Sequence, residues 1–293
     1  LLCGSPGTGK SMLATRLPGI LPPLTSAEAL EIAAIRSASG QPATRSRRAP
    51  FLSCHASTSP AGLLGGGQPP RPGNISLAHH GVLMMDELTE FRRTVIESLR
   101  EPLETGRITL SRGPYSETFP ARFLLVATMN PCPCGNLGDP ARACRCTPAQ
   151  IRRYQARLSG PLLERFDLGI EMMREPAGGV PDKAPTPEDS ATVARRVQSA
   201  RQRQLTRQAC TNGHLPVGRF DDCLALQSDA RTLLTQAADR FGWSWRSQHR
   251  VLRVARTVAD LADSATVTPA HLAEAMALRR PLDHLASVEA NPA

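Results

Sequence analysis

Gly4-Ser5-Pro6-Gly7-Thr8-Gly9-Lys10-Ser11 has the glycines, the lysine and the hydroxyl of a phosphate-binding loop in their required order. Glycines let successive backbone N–H groups close around phosphate oxygens, and the N-terminus of a following helix adds a favourable dipole. Lys10 would reach the β- and γ-phosphates with a compact ammonium on a flexible stem, and the Ser11 hydroxyl would hold Mg²⁺. Of the 35 basic residues only Lys10 and Lys183 are lysines. A lysine at this point of the motif is therefore informative in a chain that otherwise uses arginine.

A second constellation lies downstream. Val82-Leu83-Met84-Met85 reads as a buried strand that delivers Asp86-Glu87 at its carboxyl end, where ligands bind in open α/β sheets. Asp86 would position Mg²⁺ and its waters. Glu87 would polarise an attacking water, the extra carboxylate expected of ATP hydrolysis rather than of a kinase. Asn130 follows the strand Phe123–Thr128 and could hold that water against the γ-phosphate; an asparagine turning the chain before Pro131 is the alternative. Among the eight cysteines, Cys132 and Cys134 form one close pair and Cys144 and Cys146 another. Two such pairs could present four thiolates tetrahedrally to Zn²⁺, although one intervening residue is tighter than the usual spacing. Structural zinc, free thiols and a redox role all fit this pattern. No secretion signal is present, which argues against a disulfide scaffold.

The elements that must position these residues follow from periodicity. Residues 1–173 alternate apolar strand-like runs with helical stretches, the pattern of a parallel α/β sheet. Helices are expected from Lys10 to Leu17, from Thr25-Ser26 to Ser37, from 91 to 104 with Phe91, Val95, Leu99 and Leu103 on one face, and from Thr147 to Leu158. Arg107–Leu110 and Tyr115–Phe119 flank Gly113-Pro114 as a hairpin. The stretch from Gly40 to Asn74 is too rich in Gly, Pro, Ser and Arg for core elements and reads as a long insertion. A proline-rich linker then precedes a helical part, with helices near 188–209, 229–241, 247–263 and 269–280. The expected organisation is an α/β ATPase core over 1–175 with insertions at about 40–77 and 107–119, a linker over 176–187, an all-α lid over 188–285 and a tail over 286–293. Formal charge is +9, which admits an acidic partner such as nucleic acid. No apolar run approaches the roughly 20 residues that span a bilayer. Leu1-Leu2-Cys3 precedes the glycine-rich loop directly and without a methionine, so an upstream part is expected to be missing.

Together GSPGTGKS at 4–11, VLMMDE at 82–87, TMNP at 128–131 and LLERFDL at 162–168 resemble AAA+ ATPases of the magnesium-chelatase-like branch. Gly65-Gly66-Gly67, Pro72-Gly73, Ile75-Ser76-Leu77-Ala78-His79, Arg122-Phe123 and the run from His249 to Thr257 narrow the resemblance to the YifB/ComM group. It implies a P-loop AAA+ core followed by a helical lid, ATP with Mg²⁺, and a homo-oligomeric ring, usually a hexamer, with ATP at the subunit junctions. The resemblance places Arg165 at the arginine-finger position, reaching a neighbour's γ-phosphate, and Arg246 at the lid position called sensor 2. The hairpin near 108–119 and the 40–77 insertion match elements that project into a central pore, with Arg107 and Arg112 as phosphate-facing candidates. Group members carry a Lon-protease-like domain ahead of the ATPase, and other members carry a similar double cysteine pair. The implied function is a cytoplasmic ring motor acting on DNA, in branch migration during recombination or natural transformation. A protein-remodelling ATPase and a magnesium-chelatase subunit are the alternatives. Leu52, Cys54 and Ala56 depart from the group, whose members typically have an arginine after the phenylalanine and a Pro-His-His run.

Overall fold

The computed structural model describes residues 1–43, 46–174 and 188–290. The expected linker over 176–187 and the last three residues of the expected tail lie outside them.

Strand β1 (Leu2–Gly4) leads through the glycine-rich loop into helix α1 (Lys10–Arg16). Helix α2 (Ser26–Ala38) starts at a reciprocal capping box: Thr25 accepts from the Glu28 N–H, and the Glu28 carboxylate accepts from the Thr25 N–H. Then come β2 (Phe51–Cys54), α3 (Pro60–Leu64), the short pair β3 (Gly65–Gly66) and β4 (Arg71–Pro72), α4 (Asn74–Leu77) and β5 (Val82–Met85). Helices α5 (Arg93–Glu97) and α6 (Arg100–Thr105) lead to the hairpin β6 (Arg107–Arg112) and β7 (Tyr115–Pro120), followed by β8 (Leu124–Met129). Helices α7 (Pro148–Gln155) and α8 (Gly160–Leu163) and strand β9 (Ile170–Met172) complete this part.

Five parallel strands form one sheet in the order β2-β5-β8-β1-β9. All four residues of β5 are buried, as expected for a parallel strand covered on both faces. Alternation along it sends Leu83 and Met85 into the larger core cluster and Val82 and Met84 into a second cluster on the opposite face, with Leu2, Ala14 and Val126.

Two expectations for this α/β part require correction. Phe51–Cys54, assigned to an irregular insertion, is a sheet strand paired in register with Val82–Met85. Its four residues sit between proline- and serine-rich loops, so no periodic signal marks them; the long-range parallel ladder with β5 does the work. The single helix expected over 91–104 is two, because Pro102 has no N–H to give to the carbonyl of Ser98. Phe91, Val95 and Leu99 are nevertheless buried together as the apolar face required, with Leu103 packed alongside.

The helical part comprises α9 (Ser190–Gln208), α10 (Phe220–Leu224), α11 (Ser228–Phe241), α12 (Trp245–Leu261) and α13 (Pro269–Ala290). Helix α13 continues through Pro281 to Ala290 rather than stopping near 280. Its first half packs Leu272 and Ala275 into the core of the helical part, whereas Leu282 and Leu285 belong to the core beneath the sheet. Arg279, buried in the same helix, donates to the Phe166 carbonyl at 2.7 Å. Among the described residues, no helix is long and apolar enough to cross a membrane.

Candidate nucleotide-binding site

The carboxyl ends of β1, β5 and β8 bring Lys10, Ser11, Asp86 and Asn130 together. Gly9 caps α1 with φ of 84°, a left-handed conformation that glycine adopts without steric cost, so the loop can turn directly into the helix. Lys10 is buried, and its Nζ donates to the Gly4 carbonyl at 2.6 Å, the Ser5 carbonyl at 2.9 Å and Asn130 Oδ1 at 3.3 Å. Burial lowers the Lys10 ammonium below its ordinary value, against the pull of Cys3, Asp86 and Glu87.

Ser11 Oγ donates to Asp86 at 2.9 Å to one oxygen and 3.1 Å to the other. A hydroxyl and a carboxylate side by side form a hard-oxygen donor set that suits Mg²⁺. Sequence reasoning gave no role to Thr128, which organises the acidic pair. Its hydroxyl donates to Asp86 Oδ1 at 2.5 Å and accepts the Glu87 N–H at 2.9 Å. Glu87 is left-handed, with φ and ψ both 55°, and exposed. Thr128, the second-last residue of β8, lies two residues before Asn130, a spacing that could have flagged it.

Arg165 makes no hydrogen bond or ion pair to residues 4–11 among the described residues. Its Nε donates to the Arg100 carbonyl at 3.0 Å, one terminal nitrogen donates to the Pro161 carbonyl at 2.6 Å, and the other pairs with Glu104 at 3.0 Å. Burial lowers its pKa, Glu104 raises it, and Arg246, Arg100 and Arg250 lower it further. Arg246 pairs with the other oxygen of Glu104 at 3.0 Å. The finger and sensor candidates are thus side by side, beside a cavity of about 540 Å³ bounded by Glu97, Arg100, Glu101, Glu104 and Thr109. Glu104 was not identifiable from sequence, where it is one acid among 26 acidic residues.

Arg107 and Arg112 are exposed on the hairpin. Its outer strand β7 is exposed over Tyr115–Thr118, while Ile108 and Leu110 anchor the inner strand in the core. Cross-strand hydroxyl pairs, Thr109 with Thr118 at 3.0 Å and Ser111 with Ser116 at 3.1 Å, stiffen it. Gly65 packs against Leu110, so part of the 40–77 segment flanks the hairpin.

Two clusters contain metal-ligand residue types. Cys132, Cys134, Cys144 and Cys146 converge in the loop after Asn130. The backbone N–H groups of Arg145 and Asn136 hold the Cys134 thiol down at about 6. In the other cluster, Glu31 accepts from His79 Nε2 at 3.0 Å and from His80 Nε2 at 2.8 Å. His79 Nδ1 accepts the Arg122 N–H at 3.0 Å, so the proton of the neutral ring is on Nε2 and directed at Glu31. No lone pair remains on His79 for a metal. The group is a hydrogen-bonded clamp between α2 and the turn before β5.

Residues 1–179 match the family "Magnesium chelatase, subunit ChlI", and residues 187–279 match "Magnesium chelatase, subunit ChlI C-terminal". The chain is 46% identical over 281 residues to protein YifB of Salmonella typhimurium, a match covering 95% of this chain and 55% of that protein. It is 44% identical over 282 residues to the competence protein ComM of Haemophilus influenzae, covering 95% and 55%. With Rv2897c of Mycobacterium tuberculosis it shares 41% over 292 residues, covering 96% and 56%. The chain therefore spans a little over half the length of these relatives.

Proposed function

The chain belongs to the magnesium-chelatase-like AAA+ ATPases, in the YifB/ComM family, and from that premise we propose that residues 4–11, Asp86, Glu87 and Asn130 bind and hydrolyse ATP. The observation that carries this reading is the convergence of residues from three strand ends in two hydrogen-bonded pairs, Lys10 with Asn130 and Ser11 with Asp86. Backbone N–H groups of Gly4–Ser11 bind the β- and γ-phosphates, and Lys10 exchanges its carbonyl partners for phosphate oxygens. Ser11 and Asp86 would hold Mg²⁺, which would supply positive charge to offset that developing on the phosphates. Asn130 orients water on the γ-phosphate side of Lys10. Glu87 takes the proton from that water as its oxygen attacks phosphorus and the bond to the β-phosphate oxygen breaks. Asp86 cannot serve as the base while it accepts from both Ser11 and Thr128.

Arg165 and Arg246 act across a junction between copies. Both project from the face built by α6, α8 and α12, and neither pairs with residues 4–11 of its own chain among the described residues. A ring with heterologous contacts sets that face against the phosphate loop of the next copy. This scheme has a core over 1–175 and a lid over 188–285, joined by 176–187 and by α13, whose Leu282 and Leu285 pack in the core.

We further propose that the ring acts on DNA. A net charge of +9, the exposed Arg107 and Arg112 on a projecting hairpin, and the likeness to a competence protein support this reading. Hydrolysis measured with and without single-stranded and branched DNA tests it. Stimulation that fades steeply as salt rises is the expected result. Equal rates with and without DNA, together with no salt-dependent binding, overturn the DNA reading in favour of a protein substrate and leave the ATPase reading intact.

A further inference from the structure

The loop that begins at Asn130 joins the cysteine cluster to the phosphate loop. Cys132 Sγ lies 3.5 Å from Cys134 Sγ and 3.7 Å from Cys144 Sγ, and the latter two are 3.6 Å apart. Cys146 Sγ completes a set whose sulfurs all lie within 4.8 Å of one another. Disulfide sulfurs sit about 2.05 Å apart, so none of these is bonded. Sulfurs about 2.3 Å from a tetrahedral zinc lie about 3.8 Å apart, close to the three separations observed. The short spacing within each pair, which weakened the sequence argument, does not prevent convergence.

Backbone donors surround the sulfurs. The Arg145 and Asn136 N–H groups point at Cys134 Sγ, the Cys134 N–H at Cys146 Sγ and the Cys146 N–H at Cys144 Sγ. N–H donors of this kind are the outer partners that orient sulfur ligands around a metal. A dication that takes soft sulfur ligands fits such a set.

The same loop is packed on the phosphate loop. Gly135 adopts φ of 78°, and a Cβ there would approach Pro6 Cδ to 2.6 Å, closer than real contacts allow. Asp139 hydrogen-bonds Ser5 and pairs with Arg174 at 3.0 Å, and Arg174 donates to the Pro6 carbonyl at 3.0 Å. Asn130, two residues before Cys132, contacts Lys10. Anything that fixes the sulfurs also fixes Gly135, Asp139 and Asn130 against Ser5, Pro6 and Lys10.

We propose that Cys132, Cys134, Cys144 and Cys146 bind one Zn²⁺ per chain, and that this zinc holds residues 130–139 against the phosphate loop, making ATP affinity zinc-dependent. The inference rests on the reading of Gly4–Ser11 as the nucleotide site. It predicts that zinc occupancy changes the nucleotide dissociation constant without any thiolate touching nucleotide.

Elemental analysis of the purified protein, with titration of a fluorescent ATP analogue, tests both halves. About one zinc per chain is expected. Stripping it with a chelator that prefers zinc over magnesium should weaken the analogue at least about tenfold, and re-addition of zinc should restore affinity. Because a serine replacement could unfold the loop, Cys146→His is the second variant: it keeps a Cys₃His set and should retain zinc and affinity. Cobalt substitution should give the charge-transfer bands of tetrahedral thiolate ligation. Absence of stoichiometric zinc and of cobalt–thiolate bands overturns the metal site. Zinc that can be removed with no change in nucleotide affinity overturns the coupling alone. Zinc-loaded protein that binds no nucleotide overturns the ATPase reading beneath it.

Discussion

The Ser11 hydroxyl donates to the Asp86 carboxylate at 2.9 Å across 75 positions of chain. That bond ties the first turn of α1 to the end of β5, and the proposed reading puts Mg²⁺ there. Asp86→Asn preserves the shape and a hydrogen-bond acceptor but removes the charge. Hydrolysis should fall about 10²- to 10³-fold, the scale set by losing one preorganised electrostatic partner, and the magnesium concentration for half-maximal rate should rise. Steady-state rates over a magnesium titration check this, and an unchanged magnesium dependence would remove Asp86 from the site.

Arg165 is tied to Arg100, Pro161 and Glu104 within its own chain, and the proposed reading has it act on a neighbour's phosphate. Arg165→Ala should reduce turnover about 10³-fold, the lower range for loss of an arginine finger. Lys10→Ala should be inactive because the phosphate loop fails. Mixing the two variants rebuilds junctions with an intact phosphate loop on one copy and an intact arginine on the other. Partial recovery of hydrolysis on mixing is expected, and two inactive proteins that stay inactive together would contradict action in trans. A thermal melt of each variant separates this from unfolding.

The phosphate loop and Asp86-Glu87 were legible because each is a contiguous run whose residue types carry chemistry. The flanking strand Val82–Met85 was equally plain, since four consecutive apolar residues admit few other readings. What sequence did not reveal depends on long-range pairing. Phe51–Cys54 becomes a strand only beside β5, and β9 is three residues whose pairing with β1 places it in the sheet. Thr128 and Glu104 act through partners 42 and more than 60 residues away, distances at which no local pattern survives. The packing of Gly135 on Pro6 is of the same kind.

Burial lowers the pKa of His79, with the Glu31 hydrogen bond opposing it. The folded state therefore resists a proton that the unfolded chain accepts below about pH 6.5, and stability falls as pH drops through that value. His79→Gln should destabilise the protein at pH 7.5, and the gap to the unaltered protein should narrow by pH 5.5. Melting temperatures of both across that range provide the check. A gap that widens towards acid would show that His79 is charged in the fold.

The most direct test is Glu87→Gln, because Glu87 alone separates a hydrolase from a nucleotide-binding protein in this site. Nucleotide affinity and single-turnover hydrolysis should be measured on the same preparation. The expected result is ATP binding within a few-fold of the unaltered protein with turnover reduced about 10²- to 10⁴-fold, the range for loss of a general base. Undiminished hydrolysis by Glu87→Gln would contradict the assignment of the base and the mechanism built on it.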